Sequence, residues 1–378
     1  MKFAFITTSV IPSSTANSIQ AMKVVHTYCK LGYVSKLWVP DFGRADWQML
    51  AEIYGVNAPF DIEWESFKPA LKQYDFSWKS VRSAINWGAD IIYTWSLQAA
   101  VFALWHKKAV IIELHDYPMG RIGPILFRVL MQSKGKKLVL CTTKALAEGI
   151  EKRYKLRFDP KELQIAPNGC EPEQYQNLPD PPEARFRLGL KEGFTVVYSG
   201  HFYSGRGMDL LTKIAEALPN INFLWAGGKQ TDIEPWPQHL SDKHILNVTI
   251  TGFIPNSQLP LYQAAADVLV MPYGRRIAGS SGGNIAEIIN PMKMFDYLAA
   301  GRALVASDIP VFHEVLHRGV ALFCQPDVPE EWISTITKLS QDANLRQQLA
   351  HSAKKEALKY AWSTRSLNTL TQLEELLQ

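Results

Sequence analysis

Short apolar runs alternate with segments of helical periodicity along almost the whole chain. In the first part KFAFITT, SKLWVP, DIIYTW, AVIIEL and KLVLCTT read as strands, and Ser18–Leu31, Leu97–Lys107 and Lys144–Tyr154 as helices between them. Continuous apolar runs separated by amphipathic helices predict a parallel sheet covered on both faces. The rhythm breaks at Asn168-Gly169 and a proline-rich stretch (Pro172, Pro179, Pro181, Pro182), which predicts a crossing between domains. It then restarts: FTVVYSG, INFLWAGG, VTITGF, DVLVMPY and ALVASD are strands, with helices at Asp209–Ala217, Asn256–Ala266 and Pro291–Ala300 and a helical tail over Glu330–Gln378. Two doubly wound α/β domains follow, and ligands of such sheets bind beyond the carboxyl ends of the strands, so a cleft between the domains is the expected place of function.

Composition narrows this picture without changing it. A length of 378 residues exceeds one ordinary core, and 47% hydrophobic with 20% charged residues is globular usage. Four scattered cysteines, Cys29, Cys141, Cys170 and Cys324, lack CxxC spacing, which speaks against a disulfide framework or a zinc site and for a reducing cytoplasm. The start of the chain suits a first strand better than a signal peptide, and no run reaches membrane-spanning length. The net charge of +4 is uneven: residues 1–180 hold 22 Lys and Arg against 17 Asp and Glu. Two segments of that half, Phe67–Trp87 and Met119–Lys137, mix cations with large apolar residues, as a helix lying on an anionic membrane would; a solvated basic face over a core stripe is the alternative. So modest a charge with no recognition motif disfavours nucleic acid.

Two stretches carry candidate chemistry. In Asn290–Pro310, Asn290 suits an N-cap and Pro291 the first helical position, Met292, Phe295, Leu298 and Ala299 share a face, Lys293 and Asp296 lie on another, and Gly301 stops the helix before the strand ALVAS. A helix start in a loop offers unpaired N–H groups to a phosphate. The second stretch, Gly200 to Gly207 with Arg206 between strand and helix, is a glycine-rich turn whose backbone can approach a phosphate, though its spacing is neither GxGxxG nor a Walker loop.

The order FTVVYSGHFYSGRGMDLL, NFLWAGG, ITGFIPNSQLPLYQAAADVLVMPY and NPMKMFDYLAAGRALVASD resembles the donor domain of GT-B glycosyltransferases of retaining family 4. DIIYTWS, IIELHD, LCTTKAL and IAPNGCEPEQY resemble that family's acceptor-side segments in the same order. The resemblance implies two Rossmann-like domains: an acceptor domain over 1–170, a linker over 171–190, a donor domain over 191–360, and a terminal helix, 361–378, returning to the first domain. It implies a donor set of Gly200, His201, Arg206, Gly207, Glu287, Asn290, Met292, Lys293 and Asp296, with His115, Arg206 and Lys293 in catalytic roles. The family's diphosphate-binding Arg and Lys fall on His201 and Arg206, so one permanent cation is replaced by a histidine. The second member of its carboxylate pair falls on Asp296, a ribose ligand by the family, and the first on Ile288, leaving Glu287 or the loop Gly279–Asn284 for the donor sugar. His115 matches the family's active-site histidine, with Asp116 as its orienter. The first loop, Pro12–Ser18, lacks the family's paired glycines, and Asn17 or Ser18 is left to cap the following helix.

The expected activity is transfer of a sugar from a nucleotide-diphosphate sugar, a UDP-sugar ahead of a GDP-sugar, to a glycan or lipid-linked acceptor at the inner membrane face. No cofactor or metal is expected, because cations and helix N–H groups replace a DxD-type pair. A silent nucleotide-sugar-binding scaffold, motivated by His201, Ile288 and Asp296, and a nucleotide-sugar epimerase are the alternatives.

Overall fold

The computed structural model describes residues 1–71, 73–278 and 283–378, and the chain divides into two compact units. The first comprises Met1–Asn168 and Trp362–Gln378. Its sheet contains β1 (Lys2–Ile6), β2 (Val34–Pro40), β3 (Asp61–Glu65), β4 (Ile91–Thr94), β5 (Ala109–Leu114), β6 (Lys137–Cys141) and β7 (Leu163–Ile165), in the order β3-β2-β1-β4-β5-β6-β7. All pairings are parallel, with Phe5 of β1 level with Leu37 of β2 and Tyr93 of β4. The strand order reverses between β1 and β4.

The second unit, Gly169–Ala361, repeats the plan with β8 (Thr195–Ser199), β9 (Asn222–Ala226), β10 (Val248–Gly252), β11 (Val268–Met271), β12 (Ala303–Ser307) and β13 (Leu322–Cys324). The order β10-β9-β8-β11-β12-β13 is again parallel and reverses between β8 and β11. Every residue of β8 and β12 is buried, as expected of strands with helices on both faces. Trp225, Trp332 and Tyr198 anchor the core on one face of this sheet.

Three strands, β3, β7 and β13, are additional to the apolar runs. All lie at sheet edges, where DIEWE is polar and LQI and LFC have three residues each, so no buried run announces them. Residues 171–190, expected as a linker, are built into the second unit. Pro172–Tyr175 forms a 3₁₀ turn and Pro181–Arg187 a helix capped by Asp180, whose side chain accepts from the Glu183 N–H at 2.9 Å. The prolines start helices here rather than marking a flexible crossing. Arg185 of that helix is buried and paired with Asp267 at 2.9 Å. The helical tail is three helices, Pro329–Gln341, Ala343–Ala357 and Trp362–Leu377.

Helix boundaries differ by small steps. The first helix, Ala16–Lys30, is capped by Thr15 rather than by Asn17 or Ser18, and the Ser18 hydroxyl bonds back to the Ser13 and Thr15 carbonyls. In the first of the two basic-apolar segments, the helix Tyr74–Asn86 packs Phe76, Val81 and Ala84 into the core, while Trp78 meets Phe102 edge-on and lies tilted against His106. Lys79 Nζ donates to the Ser66 carbonyl at 2.8 Å. Phe76, Val81 and Ala84 of that helix are therefore committed to the unit's own packing, while Trp78 is 38% exposed.

Candidate functional site

In the second unit the strand order reverses between β8 and β11, leaving room beyond their carboxyl ends, and the turn Gly200–Gly207 follows β8 there. Gly207 has φ of 84°, and a Cβ on it would lie 1.8 Å from the Pro272 carbonyl beyond β11, so this close approach admits glycine alone. Gly200 has φ of 130°, and a Cβ there would lie 2.7 Å from Lys293 Nζ. The bare glycine lets the lysine tip reach the strand end.

Lys293 comes from the helix Met292–Ala300, whose N-cap is Pro291; Asn290 precedes the cap instead of forming it. Proline there carries an extended backbone, with ψ of 129°, which sets the helical start one residue later. Besides Phe295, Leu298 and Ala299, the residues Met294, Tyr297 and Ala300 are buried, so apolar contact wraps most of the helix, while Met292, Lys293 and Asp296 are half-buried. The Tyr297 hydroxyl accepts from the Ser199 N–H at 2.7 Å and so ties the helix to the end of β8. Gly301, with φ of 58°, ends it.

The ammonium of Lys293 is buried and has no hydrogen-bond partner among the described residues. Its nearest support is the Tyr198 ring, 3.7 Å from Nζ to the centroid, with Tyr273 at 5.6 Å. Desolvation, reinforced by the Arg206 charge and opposed by Asp296, holds its titration well below the usual lysine range. The Arg206 guanidinium lies over the Tyr273 ring, 4.8 Å from its centroid. Two cations thus converge near Gly200 on aromatic faces, an arrangement that an anionic ligand would complete.

The other expected donor residues are placed as follows. His201 stacks on Tyr203, centroids 4.8 Å apart and rings 7° from parallel, and its carbonyl accepts from the Tyr198 hydroxyl at 2.6 Å. Asp296 accepts a hydrogen bond from Tyr175, whose phenol is pushed well above its usual range by burial and then by this carboxylate. Glu287 is exposed on a turn and Ile288 is buried. Of the loop Gly279–Asn284, residues 279–282 lie outside the described residues; Asn284 Oδ1 accepts from the Ile277 and Ala286 N–H groups. Tyr198 and Tyr273, which hold both cations, were missed by sequence reasoning. Their signal was an aromatic in the last positions of VVYSG and VMPYG, indistinguishable from core packing.

In the first unit a pocket of about 910 Å³ opens beyond the ends of β1, β4 and β5, lined by Thr7, Ser9, Trp95, Gln98, His115 and Arg121 among others. His115 Nε2 meets Glu113 Oε1 at 2.9 Å. The orienting carboxylate is therefore Glu113 of β5, two residues before the histidine, whereas Asp116 accepts from the Tyr117 N–H at 2.7 Å. Asn17 also lines this pocket, while the Ser13, Thr15 and Ser18 hydroxyls of the glycine-free first loop bond to one another.

Two parallel sheets, each with a reversed strand order, match the GT-B fold of solved glycosyltransferases. Within it, residues 193–342 carry a domain matching the family described as Glycosyl transferases group 1. A putative teichuronic acid biosynthesis glycosyltransferase, TuaH of Bacillus subtilis, is 23% identical over 201 residues, 53% of this chain and 48% of that protein. An alpha-galactosylglucosyldiacylglycerol synthase of Streptococcus pneumoniae is 30% identical over 113 residues, 28% of this chain and 30% of that protein. The chain thus spans about half the length of the first relative and less of the second. Among solved structures, Anabaena HepE in complex with UDP-glucose superposes with a TM-score of 0.75 at 17% identity, covering 99% of this chain and 100% of that one.

Proposed function

We propose that the chain is a retaining glycosyltransferase that moves a sugar from a nucleotide-diphosphate sugar, a UDP-sugar ahead of a GDP-sugar, to a glycan or lipid-linked acceptor. One observation carries this reading: Lys293, a buried cation without a hydrogen-bond partner, faces a glycine strand end beside Arg206. Holding two cations so close is unfavourable until an anion arrives, and a diphosphate brings the charge that both require. The relatives add support, since their names include a teichuronic acid glycosyltransferase and a glycolipid synthase, and HepE was solved with UDP-glucose.

In this reading the bond from the anomeric carbon to the diphosphate breaks as the acceptor oxygen bonds that carbon on the same face. The acceptor proton passes to the departing phosphate. Lys293 and Arg206 stabilise the charge that grows on the leaving group, and Asp296, bonded to Tyr175, is the ribose-side carboxylate. His115 and the pocket of the first unit serve the acceptor side. In this reading Lys293 and Arg206 take the place of a metal ion at the leaving group.

The enzyme would work at the inner face of the membrane. No helix among the described residues is long and apolar enough to cross a bilayer, so contact would be peripheral. The second basic-apolar segment supports it, exposing Met119, Ile122 and Ile125 beside Arg121 and Arg128.

A thermal-shift comparison of UDP, GDP and ADP with their sugars tests the donor assignment, because a ligand bound by the folded state alone raises its stability. Stabilisation by UDP or GDP with slow hydrolysis of the matching sugar nucleotide supports the transferase. Binding without hydrolysis or transfer across an acceptor panel would make the chain a scaffold, and recovery of an isomerised donor an epimerase.

A further inference from the structure

Glu113 on β5 has no exposed side-chain surface, and both its oxygens are occupied. Oε1 accepts from Arg365 Nη2 and Gln20 Nε2, each at 2.5 Å, and from His115 Nε2 at 2.9 Å, while Oε2 accepts from the Tyr93 hydroxyl at 2.5 Å. Arg365 belongs to the helix Trp362–Leu377, 252 residues downstream. Its guanidinium is itself fixed by the carbonyls of Pro167, at 2.8 Å, and Ala166, at 3.2 Å. A buried ion pair is weak evidence for stability, since desolvation offsets most of the attraction. What this pair supplies is a fixed acceptor beside His115, whose ring lines the pocket.

An ionised carboxylate can only accept, so His115 Nε2 carries a hydrogen, and Nδ1 is the nitrogen left for a ligand. We infer that Glu113, clamped by Arg365 of the terminal helix, is the positioning residue that sets the tautomer and ring orientation of His115. This rests on the reading of His115 as an active-site group of a sugar transferase. Besides Glu113 and Arg365, the titratable groups around the network are Tyr93 on β4, Tyr28 on the first helix, Cys141 on β6 and Asp116 on the histidine's own loop. Burial, helped by Glu113, pushes both tyrosines up and Cys141 to about 12, so these three stay neutral and the ion pair governs the enclosed side of the ring.

The test is ¹⁵N NMR of the histidine rings in the full chain, with His115 assigned by loss of its signals in H115N, beside turnover of UDP-glucose. The wild type should show the Nε2–H tautomer. In E113Q, whose amide can donate to Nε2, the ring should move toward the Nδ1–H form, and turnover should fall at least about tenfold with the KM for UDP-glucose unchanged. R365M leaves a buried carboxylate unpaired and is the variant at risk of not folding, so E113Q/R365M, which removes both charges, is the companion. The double variant should be more stable than R365M yet keep the ring state and the slow turnover of E113Q. Persistence of the Nε2–H tautomer in E113Q, or recovery of turnover together with stability in the double variant, would overturn the inference. A tautomer change in E113Q when even the wild type fails to turn over UDP-glucose would support the positioning role and count against the transferase reading.

Discussion

Replacing Lys293 by methionine should move the free and the ligand-bound protein in opposite directions. In the free protein the buried ammonium lacks a hydrogen-bond partner, a situation that costs roughly 1–3 kcal/mol or more for a charged group. The Tyr198 face at 3.7 Å returns about 2 kcal/mol of that at most. Methionine has a similar length, fills the same space and needs no partner. K293M should therefore stabilise the second unit by about 1 kcal/mol, a rise in Tm of roughly 2–4 °C. The pH dependence has a definite sign. Native Lys293 titrates well below 10.5, so between its native value and 10.5 the unfolded chain binds more protons and wild-type stability rises with pH across that window. K293M should lose that rise. With UDP the order reverses: the diphosphate supplies the missing acceptor, and loss of a charge-assisted hydrogen bond of ~1.5–3 kcal/mol weakens affinity about tenfold to a hundredfold. A lower Tm for ligand-free K293M together with unchanged UDP affinity would refute the reasoning and return Lys293 to a packing role.

Further outcomes follow from the same geometry. G207A, which forces a Cβ to within 1.8 Å of the Pro272 carbonyl at φ of 84°, should destabilise the second unit by ~2 kcal/mol or more in urea titration and abolish the UDP-induced shift. G200A meets chiefly the flexible lysine tip, at 2.7 Å, but places alanine at φ of 130°, so it should both destabilise the second unit in urea titration and weaken UDP binding in calorimetry. R365M should cost the first unit about 3–5 kcal/mol in urea titration at neutral pH. Burial alone would raise Glu113, but Arg365, His115 and Tyr93 together hold it at about 2, so the network's contribution is fully present above about 4.5 and is lost as pH falls toward 2. The gap between wild type and R365M should close over that interval. Replacing Ile122 and Ile125 by serine should reduce binding to anionic vesicles while soluble-acceptor turnover stays constant; equal vesicle binding would remove that helix from any membrane contact.

Alternating apolar runs were enough to place both sheets, because a strand covered on two faces needs a continuous apolar stretch and few other elements do. The edge strands escaped for the same reason: DIEWE has a polar face to keep, and three-residue strands carry no period. Proline misled between 171 and 190 since the residue that breaks a helix interior is also favoured at a helix start. At the site, Arg206 and Lys293 were legible as charges in phosphate-suited turns, and the structure does bring them together against Gly200. That Lys293 would be buried in this way was not legible, because it depends on Tyr198 of β8 and Tyr273, two residues beyond β11, closing over it. Glu113 was quoted within ELHD but given no role. Its partner Arg365 lies 252 residues away, and nothing local relates an arginine in a tail helix to a carboxylate on β5.

The two units differ most in how their buried charge is balanced, and this difference separates their roles better than fold does. In the first, the enclosed carboxylate is matched by an enclosed guanidinium and further hydrogen bonds, so the protein completes its own electrostatics and the pocket above offers hydroxyl, amide and indole groups such as Thr7, Gln98 and Trp95. A pocket holding those groups, with Asp116 and Arg121 beside them, can exchange hydrogen bonds with a polyhydroxyl surface and stack it on an indole. In the second, Lys293 and Arg206 share a site where Asp296 opposes their repulsion only in part, with its carboxylate already bonded to Tyr175. Such a site is least stable when empty and gains most from a dianion, which is why the donor assignment predicts a ligand-free protein made more stable by deleting one of its own binding residues. A packing helix has no reason to behave that way.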